Sequence, residues 1–354
     1  MLSSRTPGAN AEGRTTGAGV HAGLIGHDIQ AANCWGQGSQ HGGGFSLLYG
    51  RALEVQTREA APLEWSSTHD SLGWAYTERC ADDEAANLEE ALACFGRALE
   101  VRTREAAPLE WAETQHSLGW AYAKRIVGDK AANMEEALAC YGRALEVRTR
   151  EAAPLKWAST QDALGLAYSE RIVGDKAANM EEALACFGRA LEVRTRQALP
   201  LEWSSTQHSL GWAYRQRIVG DKAANLEEAL ACFRRALEVR TREAAPLEWA
   251  STLDSLGALY TERIVGDKAA NVEEAVACYR RAPEVRTRQA AARDWSGTSW
   301  SLMVVLQDDG RWAEALSTAR ALLAFGDKWD VWSGKEPTLA ARIAFLEPKV
   351  EATA

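Results

Sequence analysis

The sequence predicts an all-α solenoid of paired helices, and three observations carry that expectation. A 46-residue segment recurs almost unchanged, with register marks at Leu63-Glu64-Trp65, Leu109-Glu110-Trp111, Leu155-Lys156-Trp157, Leu201-Glu202-Trp203, Leu247-Glu248-Trp249 and a decayed Arg293-Asp294-Trp295. Within each copy, apolar residues fall at helical spacing. Pro precedes one such stretch, and Gly-Asp precedes the other. Units of this size cannot bury their apolar faces alone, so a fixed period implies stacking of each unit on its neighbours.

The unit at 109–154 shows how each element follows. Pro108 suits a first helical turn, where a missing N–H costs nothing. Trp111, Leu118 and Tyr122 then form one stripe of a helix ending near Arg125, a cation placed well for the helix dipole. Gly128-Asp129 marks the turn, and Asn133 with Glu136 has the spacing of an N-cap and its capping-box partner. The second helix is expected over 134–152, with Leu138, Tyr141, Ala144, Leu145 and Val147 apolar and Glu146–Arg150 as an i,i+4 pair.

Along the chain this pattern divides the sequence into five parts. Residues 1–44 are Gly-rich and without helical periodicity, which reads as a disordered or poorly ordered tail. Residues 45–62 match the second half of a unit and supply a lone helix. Five full units occupy 63–292, and a sixth at 293–324 has a shorter turn at Asp308-Asp309-Gly310. Residues 325–354 hold an end helix, centred on 336–348, that covers the last apolar face. Pro283 stands where other units have Leu99, Leu145, Leu191 and Leu237, so a bent or broken helix is expected near 279–284.

Leu118-Gly119 with Tyr122, then Ala137, Tyr141 and Ala144, resembles the tetratricopeptide signature. The period exceeds the usual one of that family and is similar to the repeats of kinesin light chains and of bacterial arrays fused to caspase-like or nucleotide-binding domains. The resemblance covers 45–324 and implies a right-handed superhelix whose first helices line a peptide-holding groove.

Differences between copies locate that face. Units 109–154 and 155–200 differ at 10 positions, seven of them in the first helix, and four of those lie opposite the Trp111-Leu118-Tyr122 stripe. By resemblance the varying rows are the groove: Asp70, His116, Asp162, His208 and Asp254; then Trp74, Trp120, Leu166 and Trp212; and Arg215 in a third. Drift of exposed positions explains variation, but not indoles on a solvent-facing stripe; helix-to-helix packing of the Trp would explain those. Asp70, Asp162, Asp254, Glu78, Glu113, Glu170 and Glu262 outweigh Lys124 and Arg215, which beside Trp faces suits a Lys/Arg-containing peptide.

Composition narrows the function classes. A formal charge of −9 argues against a nucleic-acid or acidic-membrane surface. No apolar run is long enough to span a bilayer, and the start of the chain lacks a secretory h-region. Cys94, Cys140, Cys186, Cys232 and Cys278 are one position copied five times, without zinc-type spacing, and read as small buried apolar residues in a reducing, cytoplasmic setting. No phosphate loop or catalytic set stands out, and His21, His27, Cys34 and His41 lack defined geometry for a metal. The reading is therefore a non-enzymatic adaptor without cofactor, binding another protein's extended segment. A regulatory arm for a separate effector enzyme, and a truncated remnant of such a protein, are the alternatives. The exposed half-unit at 45–62 offers a surface for self-association.

Overall fold

The computed structural model describes residues 42–79, 83–286, 292–326 and 336–353. Residues 1–41 of the expected tail, with His21, His27, Cys34 and His41, and also Cys80, lie outside the described residues, whereas residues 42–44 belong to the first helix described. Every regular element described is helical. In order these are α1 (Gly42–Val55), α2 (Pro62–Thr77), α3 (Glu84–Leu99), α4 (Pro108–Lys124), α5 (Lys130–Leu145), α6 (Pro154–Glu170), α7 (Lys176–Leu191), α8 (Pro200–Gln216), α9 (Lys222–Leu237), α10 (Pro246–Glu262), α11 (Lys268–Arg281), α12 (Ala292–Asp308), α13 (Trp312–Gly326) and α14 (Glu336–Thr353). The residues fall into two compact units, one ending at Gly128 and one beginning at Asp129. In the first, α1 to α4 pack consecutively; in the second, α5 to α14 do the same.

A repeat is thus two antiparallel helices of nearly equal length, and its boundaries differ from the sequence expectation for a clear reason. The second helix starts at Lys130, because Asp129 rather than Asn133 is its N-cap and accepts from the Ala132 N–H at 2.8 Å. Asn133 lies inside the first turn, buried. Its equivalents show why: the Asn179 side chain donates to the Val173 carbonyl at 2.9 Å and accepts from Arg171 at 3.2 Å, tying the connecting turn to the helix. Asn225 and Asn271 do the same. The second helix also stops at Leu145, not near Ala152. The extra residues of the long period therefore lie in the connections, where Thr149 Oγ1 accepts from the Ala152 N–H at 3.1 Å to close a turn.

Because the helix ends there, Glu146 and Arg150 do not share a helical face. Arg150 reaches one repeat onward to Glu192, 2.5 Å away, and Arg196–Glu238 and Arg242–Glu284 continue the row. A second row crosses the repeats at the opposite end of the helices. Arg171 grips Glu135 with two parallel bonds of 2.7 and 2.8 Å, and Arg217–Glu181 and Arg263–Glu227 repeat it. The bond to Arg171 holds the Glu135 carboxyl below its ordinary range.

The chain reverses through left-handed glycines: Gly174, Gly220 and Gly266 have φ of 82°, 82° and 85°. Within each pair another glycine sets the closeness of approach. A Cβ on Gly165 would stand 2.7 Å from Phe187 Cε1, and one on Gly211 would stand 2.9 Å from Phe233 Cε1. The fully buried rings of Phe187 and Phe233 occupy that space, beside Ala183 and Ala229. Pro283 acts as expected: the α-helix ends at Arg281 and continues as a 3-10 turn over Ala282–Glu284. At the end, Leu339 and Leu346 of α14 are buried, and the helix packs on α13.

Gly165→Ala should lower stability by about 1–3 kcal/mol through overpacking on the Phe187 ring. Combining it with Phe187→Leu should cost less than the sum of the two single changes. Urea unfolding of the four proteins checks this, and additive effects would refute the close approach.

Candidate functional site

The row Asp70, His116, Asp162, His208, Asp254 does not face open solvent. Around Asp70, Asp162, His208 and Asp254 the surroundings are set by the Val-Arg-Thr-Arg segment that follows the second helix of each full repeat. The first arginine of that segment turns inward. Arg102, Arg148, Arg194 and Arg240 are all buried. Arg102 donates to Thr114 Oγ1 at 2.9 Å, Thr114 donates to Asp70 Oδ1 at 2.8 Å, and Arg102 lies 3.2 Å from the same carboxylate. Arg194, Thr206 and Asp162 repeat the cluster at 2.8, 2.9 and 3.0 Å. Arg286 pairs with Asp254 at 2.5 Å, and Thr298 donates to that carboxylate at 2.9 Å.

The histidine version differs in charge. Arg240 donates to Thr252 at 3.0 Å and to Ser205 at 2.9 Å, while His208 Nδ1 lies 3.3 Å from Thr252 Oγ1. No carboxylate stands where the aspartates do. Burial, with Arg240 nearby, pushes the His208 pKa down to about 4. In the other version, burial pushes Asp254 up to about 6 against the opposing pull of Thr298 and Arg286. Burial likewise raises Asp70 and Asp162, while Arg102 and Arg194 pull the other way.

The aromatic row is half-buried. In the first unit, the Trp74 ring is centred 5.6 Å from that of Trp120 and 6.0 Å from Phe95, so these indoles bridge successive first helices. In the second, Trp212 packs beside Phe187, Met180 and Ala213 and is also in contact with the cluster around Leu253. Leu166 is the open member, 42% exposed. Arg215 is spent on Glu262, 2.5 Å away. The reason for the departure is that first helices pack on each other as well as on second helices. The stripe opposite Trp111-Leu118-Tyr122 therefore has a neighbour. The acidic surplus expected there shrinks accordingly, because Asp70, Asp162, Asp254 and Glu262 already have cationic partners.

The repeated thiols are buried, and burial raises their pKa, to about 11 for Cys186 and Cys232 and about 12 for Cys278. They stay protonated, and the sulfurs of Cys140, Cys186 and Cys232 accept from Arg143, Arg189 and Arg235 of the same helices. Among the described residues no group of three metal-ligating side chains comes together, and no helix is long and apolar enough to cross a membrane.

These features define an all-α repeat protein with the tetratricopeptide solenoid fold, in which glycine-aromatic helix pairs stack consecutively. Solved structures share it. The APC/C hetero-tetramer Cut9-Hcn1 is similar over 84% of this chain at 13% identity and a TM-score of 0.55, and this chain spans 46% of that one. A Rap protein complexed with Competence and Sporulation Factor is similar over 88% of this chain and 82% of its own at 13% identity and a TM-score of 0.52. The apo form of RapI follows at 13% identity and a TM-score of 0.50, over 81% of this chain and 99% of its own. At this identity the likeness concerns the fold. No protein-family model matches the sequence, and no curated protein matches it.

Arg194→Ala should cost about 3–5 kcal/mol by removing a buried guanidinium and leaving the largely enclosed Asp162 without its cation. Arg196→Ala, at an exposed pair, should cost at most about 1 kcal/mol. Urea unfolding compares the two, and equal costs would refute the ranking. The neutral His208 side chain contributes stability that is complete above about pH 6.5 and lost as pH falls through about 4, because its folded pKa is depressed. Asp254, with a raised pKa, has the opposite sense: its contribution is present below about pH 3.8 and lost as pH rises through about 6. The melting temperature of His208→Asn should accordingly fall less steeply than that of wild type between pH 6.5 and 4.

Proposed function

We propose that the protein is a non-enzymatic adaptor that binds an extended segment of another protein along the faces of its first helices. The observation that carries this is Leu166. It stands exposed where Trp212 occupies the next repeat, beside the exposed Glu170 and the half-buried Ser169. An apolar side chain of a ligand fits against Leu166 and the edge of Trp212, and the rim supplies polar contacts. The partners of Asp162 and Asp254 leave less free acid than the sequence suggests, so recognition of Lys or Arg rests chiefly on the exposed Glu170. A Rap structure of the same fold contains Competence and Sporulation Factor, which supports reading the fold as a binding scaffold.

The test begins with peptides selected on the intact protein from a displayed random library. Their affinity is then measured by fluorescence anisotropy. Leu166→Glu should weaken a selected peptide at least about tenfold, equivalent to 1.4 kcal/mol, with an unchanged circular dichroism spectrum. Unchanged affinity for every selected peptide would refute this placement of the ligand.

A further inference from the structure

The turns between first and second helices carry a feature that the groove does not explain. Residues 171–176 read Arg-Ile-Val-Gly-Asp-Lys, and 217–222 and 263–268 repeat them without change. The arginine and asparagine of each turn are used internally, as described. The apolar pair points outward: Ile172, Ile218 and Ile264 are 61%, 62% and 64% exposed, and Val173, Val219 and Val265 are 43%, 42% and 41% exposed. A β-branched pair exposed in a single turn needs no explanation, but the same pair in three successive turns makes a ridge along one edge of the array. Ile126 and Val127 are exposed in the same way in the first unit.

Each rung also carries balanced charge. Asp175, Asp221 and Asp267 cap their helices with one carboxylate oxygen and lie exposed. Lys176, Lys222 and Lys268 are exposed and pair with no acid among the described residues. The rung is therefore self-complementary: an apolar pair flanked by one anion and one cation.

We propose that this Ile-Val ridge is a self-association surface, and that its occupant is the same ridge on a second copy of the chain. In a two-fold arrangement the ridge meets itself reversed, and each contact is made twice. Repeat spacing is identical on both sides, so all three rungs engage together. Isoleucine and valine then pack on their counterparts, and each free lysine ammonium lies against a partner's capping aspartate. One rung alone is too small to hold two chains, and linking three makes the association multivalent. The balanced charge argues against an anionic bilayer as the occupant, because each lysine is offset by its neighbouring aspartate. This surface is distinct from the face of the first helices, and its test reads mass rather than peptide affinity.

Sedimentation equilibrium of the full chain from about 5 to about 500 μM brackets an association of this size. Wild type should show a rise toward twice the chain mass. The triple variant Ile172→Asp, Ile218→Asp, Ile264→Asp should remain at the single-chain mass, with the wild-type circular dichroism spectrum and melting temperature. The triple variant Lys176→Glu, Lys222→Glu, Lys268→Glu, which sets acid against acid, should also lose the dimer. A wild-type mass of one chain throughout would overturn the proposal, as would a dimer that survives the isoleucine substitutions. Monomeric protein that floats with phosphatidylserine-containing vesicles, and ceases to on isoleucine substitution, would assign the ridge to a membrane instead.

Discussion

Everything else in the array depends on how it satisfies one buried arginine per repeat. A guanidinium removed from water is tolerated only with its donors engaged. Arg102, Arg194 and Arg240 find those partners across a repeat boundary, on a threonine of the following first helix and a residue of the preceding one. The apolar faces would stack with some tolerance, but the arginine ties each first helix to the next at one register. The bidentate Arg171–Glu135 pair and the exposed Arg150–Glu192 pair then hold the two edges of the stack in the register that the buried cluster sets.

Helix pairing is set more by shape than by charge. Gly165 and Gly211 let two helices meet over a phenylalanine ring, and a side chain at either site would have to displace it. The bulky residues that fill the gaps, Phe187, Phe233 and Leu253, are fully enclosed. Where proline replaces leucine at 283, the α-helix gives way to a 3-10 turn without loss of the enclosed Ala282. The first N-terminal cluster follows the same logic in neutral form: Gln56 stands where other repeats have arginine, and accepts from Thr68 at 2.6 Å.

The period, the helix pairing, the capping prolines, the Gly-Asp turn and the effect of Pro283 were all legible in the sequence, because each is local or recurs at fixed register. Helix ends were less so. Asp129 and Asn133 both have N-cap chemistry, and only the packed turn shows that asparagine is needed inside it. Glu146 and Arg150 have helical spacing, yet the helix has ended, so the arginine looks one repeat ahead. The candidate face was the least legible part. Amphipathic periodicity treats a helix as having one neighbour, whereas each first helix has several, and the row of Asp70 and His208 faces one of them. Copying alone does not mark its partners, because the second arginine of Val-Arg-Thr-Arg is repeated as faithfully as the first and yet stands exposed at Arg150, Arg196 and Arg242.

The interchange of aspartate and histidine in the buried cluster has a consequence for how such a chain is built. Thr206 serves Asp162 and Thr252 serves His208 with the same hydroxyl. A junction therefore does not care which kind of unit precedes it. A block excised or inserted by recombination between near-identical gene segments would still meet a competent threonine and arginine on both sides. Array length is in that sense a free variable of inheritance, adjustable in whole units without any residue being re-matched.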